Sequence, residues 1–293
     1  MAERVGFVGV GFMGHGMAHN ILTKGYPLTV TAHRRREAVE DLVGKGATEV
    51  GSVAELGAGC DVVVLCLTAA PQVEAVVTEL AGVLSRGAMV IDTSTSDPVV
   101  TERLGAMLAE RAIAMVDAPL GRTPKDAWAG TLDCFVGASD EAFARAEPIL
   151  KTFSGRVLRI GGPGAGHRMK LVNNFLSLGY GALYAEALAL SRKVGIDVAT
   201  FDGVVRDGRM DCGFYRTWMG YALEGNREAD LFTISNAHKD LSYVDSMASA
   251  AKVATPLASA ARMSYRAALA QGGDGAEDYI PHLADFVAKA NGL

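Results

Sequence analysis

The segment Arg4-Val5-Gly6-Phe7-Val8-Gly9-Val10-Gly11-Phe12-Met13-Gly14 decides how the rest of this 293-residue chain is read. An apolar run leads straight into G-x-G-x-x-G, and Met13–Lys24 continues with helical character. Glycines at this spacing are a weak signal alone. Between a strand and a helix they acquire a mechanism: a tight turn, close approach of a pyrophosphate, and tight packing of helix on sheet. The helix N-terminus then favours an anion. Gly9, Gly11, Phe12, Met13 and Gly14 are therefore the first candidate cofactor contacts.

Beyond this turn the pattern repeats. Leu28–Thr31, Asp61–Leu67, Ala88–Asp92, Ala114–Asp117, Leu132–Val136 and Val157–Ile160 read as strands rich in Val, Ile and Leu, the composition of strands covered on both faces. Helix-like stretches lie between them at Glu37–Lys45, Pro71–Leu84 and Val99–Arg111. Such alternation predicts an α/β fold with a doubly wound parallel sheet of Rossmann type. At Gly161-Gly162-Pro163-Gly164 the pattern changes. A long helix is expected over about 165–193, apolar on more than one face and so expected to be buried. Helical periodicity continues to the end. Two domains follow: 1–162, binding a dinucleotide, and 163–293, all helical, with substrate expected at their junction.

Composition sets limits. Apolar residues make up 49% and charged residues 21% of the chain, and the net charge is −5, which gives no general attraction to nucleic acid or to anionic membrane surfaces. There is no apolar run of spanning length and no secretory pattern at Met1-Ala2-Glu3-Arg4, so a cytoplasmic protein is expected. Cys60, Cys66, Cys134 and Cys212 lack metal-like spacing and read as free thiols. Nor do His167, His238 and His282 have the Asp, Glu or Cys partners of a metal cluster, and no metal is expected.

The second strand bears on which dinucleotide is bound. An NAD site commonly ends that strand with an acid on the ribose hydroxyls. Here Ala32 stands at that place, followed by His33, Arg34, Arg35 and Arg36. Cations at a helix N-terminus oppose its dipole unless they face an anion. The 2′-phosphate of NADP is such an anion, so NADPH is the expected cofactor, with NAD possible. Leu67 and Thr68, closing the strand-like run from Asp61, also count as cofactor contacts.

On the long helix, Lys170, Asn174 and Ser177 fall at i, i+4 and i+7, with Asn173 beside them. Polar groups on one stripe of an apolar helix must meet one another, water or a ligand. A structural hydrogen-bond network accounts for the asparagines and serine but poorly for a lysine.

Taken together, the Gly9–Gly14 turn, Asp92-Thr93-Ser94-Thr95, Asp117-Ala118-Pro119, Gly130-Thr131-Leu132, Lys170-Leu171-Val172-Asn173-Asn174 and Lys239-Asp240-Leu241 resemble the β-hydroxyacid dehydrogenase family over nearly the whole length. The resemblance implies a short hydroxy acid interconverted with its semialdehyde. It makes Lys170 the proton donor and acceptor and gives Asn174 a hold on the substrate. It also sets Thr95 by the nicotinamide and closes Lys239 over the cofactor. Where most of the family carries Ser-Gly-Gly, this chain has Gly121-Arg122-Thr123. That resembles the 3-sulfolactaldehyde reductase branch and implies a sulfonate held by Arg122, with Thr123, Asn173 and Ser177 available to it. A guanidinium fork suits such an anion. A carboxylate on Arg122, as in 3-hydroxyisobutyrate or succinic semialdehyde chemistry, or a plain ion pair stays open. So does a cofactor-binding sensor or scaffold without catalysis. Imine reductases on a similar scaffold usually replace the lysine, and Lys170 argues against that reading. Symmetric self-association, as a homodimer or homotetramer, is expected of the apolar helical half.

Overall fold

The computed structural model describes residues 2–33 and 36–293. In the first of its two compact units, residues 1–170, β1 (Val5–Val8) is buried along its whole length. It is followed by α1 (Phe12–Thr23), β2 (Leu28–Thr31), α2 (Arg36–Gly44), β3 (Thr48–Val50), α3 (Val53–Gly59) and β4 (Val62–Leu65). Then come α4 (Ala70–Ala81), β5 (Met89–Asp92), α5 (Pro98–Ala109), β6 (Ala114–Asp117), β7 (Leu120–Gly121), α6 (Pro124–Ala129), β8 (Leu132–Gly137), α7 (Asp140–Phe153) and β9 (Ser154–Gly161).

The strands form one sheet in the order β3-β2-β1-β4-β5-β6-β8-β7, with β9 on β8. The strand order reverses between β1 and β4, which is the switch point where ligands bind in such sheets. From β3 to β6 every pairing is parallel, so the carboxyl ends of β1, β4, β5 and β6 share one edge. Apolar cores lie on both faces, one centred on Phe7, Met17 and Ile21, the other on Leu56, Val63 and Leu80.

The expected doubly wound parallel sheet is present, with an antiparallel addition at one end. β8 runs antiparallel to β6 and β7. The connection from β6 to β8 holds only β7 and the six-residue α6, too little helix to cover a face and return in parallel. β3 escapes sequence reading because it is short, exposed and partly polar. α3 and α6 are short too, yet both carry readable start signals: Ser52 caps Glu55 N, and Thr123 forms a capping box with Asp126.

The second unit, residues 171–293, is helical. α8 (Ala165–Lys193) enters it, followed by α9 (Val198–Val205), α10 (Gly213–Glu224), α11 (Ile234–Ala251), α12 (Pro256–Ala270), a 3-10 turn (Ile280–His282) and α13 (Leu283–Ala290). Trp218, Tyr215 and Tyr265 are fully buried in its core. Tyr265 approaches α8 closely because Gly181 has no side chain, and its hydroxyl donates to the Leu178 carbonyl at 3.0 Å. The expected burial of α8 on all sides is corrected. Val172, Leu176, Tyr180, Leu183 and Leu190 are exposed along it. Among the described residues, no helix is long and apolar enough to cross a membrane.

Candidate active site

The glycine turn shows three different reasons for lacking side chains. Gly9 has φ of +102°, a left-handed conformation that favours glycine. A Cβ on Gly14 would lie 2.1 Å from the Gly9 carbonyl, so helix and strand could not meet. A Cβ on Gly11 would meet nothing within 4 Å. The middle position thus leaves room outside the protein, at the N-cap of a helix with no acid in its first turn and no capping side chain. An anionic diphosphate fits that cradle. Phe12 is exposed beside it and Met13 is half-buried.

The loops after β4 and β5 are lashed together at the same edge. Thr93 Oγ1 donates to the Leu65 carbonyl at 2.6 Å, and Leu67 N donates to Ser94 Oγ at 2.9 Å. Asp92 turns back to accept from Ser94 N at 2.9 Å. Leu67, Thr68 and Thr95 are therefore held by a common backbone frame. The start of α8 is fastened there as well. Asp117, at the end of β6, accepts from Gly164 N at 2.6 Å and from His167 N at 2.8 Å. Burial pushes the Asp117 carboxyl above the usual range, while His167 and these amides pull the other way. Gly166 permits the approach, since a Cβ there would lie 2.2 Å from the Phe135 carbonyl. Lys170, half-buried, follows His167 by one turn of α8.

Further along α8, in the second unit, Asn174 is buried and its Nδ2 donates to Asp240 Oδ2 at 2.7 Å. The other carboxylate oxygen of Asp240 lies 3.2 Å from Lys239 Nζ. One buried acid thus orients both the asparagine and the lysine. Ser177 Oγ donates back to the Asn174 carbonyl at 3.2 Å, while Asn173 is exposed.

The loop Gly121-Arg122-Thr123 follows β6 in the first unit, and its side chains already have protein partners. Arg122 has φ of +80°, a strained backbone for a non-glycine residue. Its Nε lies 3.1 Å from Asp133 Oδ2, and Nη1 lies 3.9 Å from Asp126. Thr123 Oγ1 donates to Asp126 Oδ2 at 2.5 Å. Of the basic cluster after β2, His33 is exposed, and Arg36 spends its guanidinium on Glu49 and Glu40. Arg34 and Arg35 lie outside the described residues. Among the described residues, no group of three or more His, Cys, Asp or Glu side chains is arranged to hold a metal ion.

Comparison with known proteins gives a consistent result. The model for the NAD binding domain of 6-phosphogluconate dehydrogenase matches residues 4–162. The model for the NAD-binding of NADP-dependent 3-hydroxyisobutyrate dehydrogenase matches residues 164–281. The chain is 35% identical to 3-sulfolactaldehyde reductase of Escherichia coli (strain K12), covering 92% of this chain and 91% of that protein. It is 34% identical to 3-hydroxyisobutyrate dehydrogenase of Pseudomonas aeruginosa, covering 88% and 89%. The chain belongs to the β-hydroxyacid dehydrogenase family. It is an NAD(P)-dependent oxidoreductase acting on a CH–OH group. A solved 3-hydroxyisobutyrate dehydrogenase of Mycobacterium tuberculosis has the same fold, with a TM-score of 0.87 at 24% identity, covering 97% of this chain and 99% of that one.

Sequence reasoning gave no catalytic or binding role to Asp92, Asp117, Asp133, His167 or Asp240, which organise these sites. A signal existed for two of them: an acid closing an otherwise apolar strand, as at Asp92 and Asp117, is costly unless partnered. Asp133 carries no such mark, and Asp240, although adjacent to Lys239, meets Asn174 from 66 positions away.

Proposed function

We propose that this family member reduces 3-sulfolactaldehyde with NADPH, with Lys170 delivering the proton. The observation that carries the reaction reading is the fastening of the first turn of α8 to the sheet edge. It ties Lys170 to the frame that also holds Thr95. A dinucleotide held at the Gly9–Gly14 turn would supply a hydride to the aldehyde carbon. Negative charge then grows on the substrate oxygen, where an ammonium both stabilises it and gives up a proton. Asn174, oriented by Asp240, donates to the substrate, and Lys239, held by the same acid, closes over the cofactor. The NADPH preference rests on the lack of an acid at Ala32 and on His33, Arg34 and Arg35. The exposed apolar stripe of α8 supports homo-oligomerisation.

The sulfonate reading rests on Arg122 and on the 35% relative. For Arg122 to give a substrate its whole fork it must leave Asp133, which lies 3.9 Å from Arg156 and so keeps a cation. One observation favours a second reading: the existing Arg122–Asp133 pair and the Thr123 cap fit a structural loop beside a carboxylate substrate. Steady-state reduction of 3-sulfolactaldehyde and succinic semialdehyde, with NADPH and NADH, separates the two. The proposal expects a sulfonate preference that falls at least about tenfold in Arg122→Ala, and a kcat loss of about 10²-fold or more in Lys170→Ala. Equal or better turnover of the carboxylate, indifferent to Arg122, establishes the second reading.

A further inference from the structure

Asp133 lies on β8 between two arginines, and two irregularities of the backbone bring them to it. Its partners across the sheet are Gly121 of β7 and Arg156 of β9. Leu132 pairs with Ser154 but Asp133 pairs with Arg156, so β9 carries one extra residue, Gly155. This bulge sets Arg156 opposite the acid, where side chains share a face. Arg122 follows Gly121, so a regular strand would send it to the other face of the sheet. Its φ of +80° turns it instead, and Nε lies 3.1 Å from Asp133 Oδ2. Arg156 Nη1 lies 3.9 Å from the same oxygen. Bulges and strained residues gather at functional sites, and here both serve one carboxylate.

The two cations are not equivalent. Arg122 is at contact distance, whereas Arg156 stands off by an amount that a movement of about 1 Å closes. Asp133 is only 17% exposed, and its Oδ1 is buried without a hydrogen-bond partner among the described residues. Such a carboxylate, left by Arg122 with no cation nearby, would be costly. We propose that Arg156 takes over Asp133 when Arg122 turns its fork to the substrate anion, and so sets the affinity for that anion. The Arg122–Asp133 pair is exchanged for Arg122 with the anion and Arg156 with Asp133. Asp126, the other acid near Arg122, accepts from Thr123 and Thr131 and stays with the loop. The inference rests on the reading of Arg122 given above. Arg156 acts through Asp133 and is a positioning residue.

The test is steady-state reduction of 3-sulfolactaldehyde and succinic semialdehyde by Arg156→Gln, Arg156→Lys, Asp133→Asn and the Asp133→Asn, Arg156→Gln double variant, with Arg122→Ala alongside. Arg156 is exposed, so its replacement removes no core packing. In Arg156→Gln, KM for the better of the two anionic aldehydes is expected to rise about two- to fivefold. Meanwhile kcat holds within about twofold. Arg156→Lys, which keeps the cation, recovers most of the loss. In the Asp133→Asn background the same change at Arg156 should alter KM by less than about 1.5-fold, because no acid is left to take over. An unchanged KM in Arg156→Gln overturns the inference. So does an equal rise in both backgrounds, the mark of a long-range field. If Asp133→Asn does not fold, the KM ratio of Arg156→Gln to wild type in about 0.5 M KCl decides, since a contact pair survives salt that screens a distant charge. A ratio near one there overturns the inference. If Arg122→Ala leaves KM unchanged, the reading of Arg122 falls and this inference with it. If Arg122→Ala raises KM while Arg156→Gln does not, only this inference falls.

Discussion

Two loops at the carboxyl edge of the same sheet are built on opposite principles. The turn at Gly9, Gly11 and Gly14 works by what it lacks: one glycine for a backbone angle, one for contact within the protein, one for open space. The loop at Gly121, Arg122 and Thr123 works with charged and polar side chains, each already committed to Asp133 or Asp126. The first is ready for a ligand with no bond to break. In the second, any anion competes with internal partners, so its affinity is a difference between two interactions. A site of that second kind is easily retuned by changing either side of the exchange, whereas the first tolerates almost no change.

The sharpest break between the glycines comes from alanine. Gly14→Ala forces a Cβ against the Gly9 carbonyl and should destabilise the protein by about 3 kcal/mol, visible as a large fall in the thermal midpoint. Gly11→Ala meets no protein atom within 4 Å and should cost no more than about 1 kcal/mol. It should still weaken NADPH binding by roughly tenfold or more, measured by fluorescence titration, because the added methyl lies where the diphosphate must approach. Equal stability losses in both variants would show that the two glycines do the same job.

A smaller effect tests the exchange at Arg122. Asp133→Asn removes its strongest internal partner, and the KM for an anionic aldehyde should drop roughly two- to fivefold. An unchanged KM would mean that Arg122 does not bind substrate. Smallest is Thr123→Ala, which removes the α6 cap and should cost about 1 kcal/mol at neutral pH by chemical denaturation. The Asp126 carboxyl sits below its ordinary range chiefly because Thr123 Oγ1 donates to it, burial opposing. A depressed carboxyl stabilises the fold above its unfolded pKa, and that contribution is lost as pH falls through the lower folded value. The gap between wild type and Thr123→Ala should therefore close below about pH 4.

Much of the fold was legible because local pattern and tertiary role agree along β1, β4, β5 and β6: buried on both faces, they are apolar nearly throughout. β3 and β7 were not, since strands of two or three residues leave no period to read. At the site, Lys170, Asn174 and Ser177 could be grouped from helical spacing alone. Their partners could not.

The sequence by itself determined the dinucleotide turn, the change from alternating to helical structure near Gly161-Gly162-Pro163-Gly164, and the polar stripe of α8. These are properties of neighbouring residues, settled by backbone sterics and by the 3.6-residue period. Only tertiary structure decided that His167 meets Thr101 and Ser94, that Asn174 meets Asp240, and that Arg122 is engaged by Asp133. The His167 and Asn174 contacts join residues more than sixty positions apart, and even Arg122 reaches Asp133 only because β7 pairs with β8. Hydrogen bonds act over about 3 Å of space, and no local pattern of residue types records which distant groups the fold will bring that close.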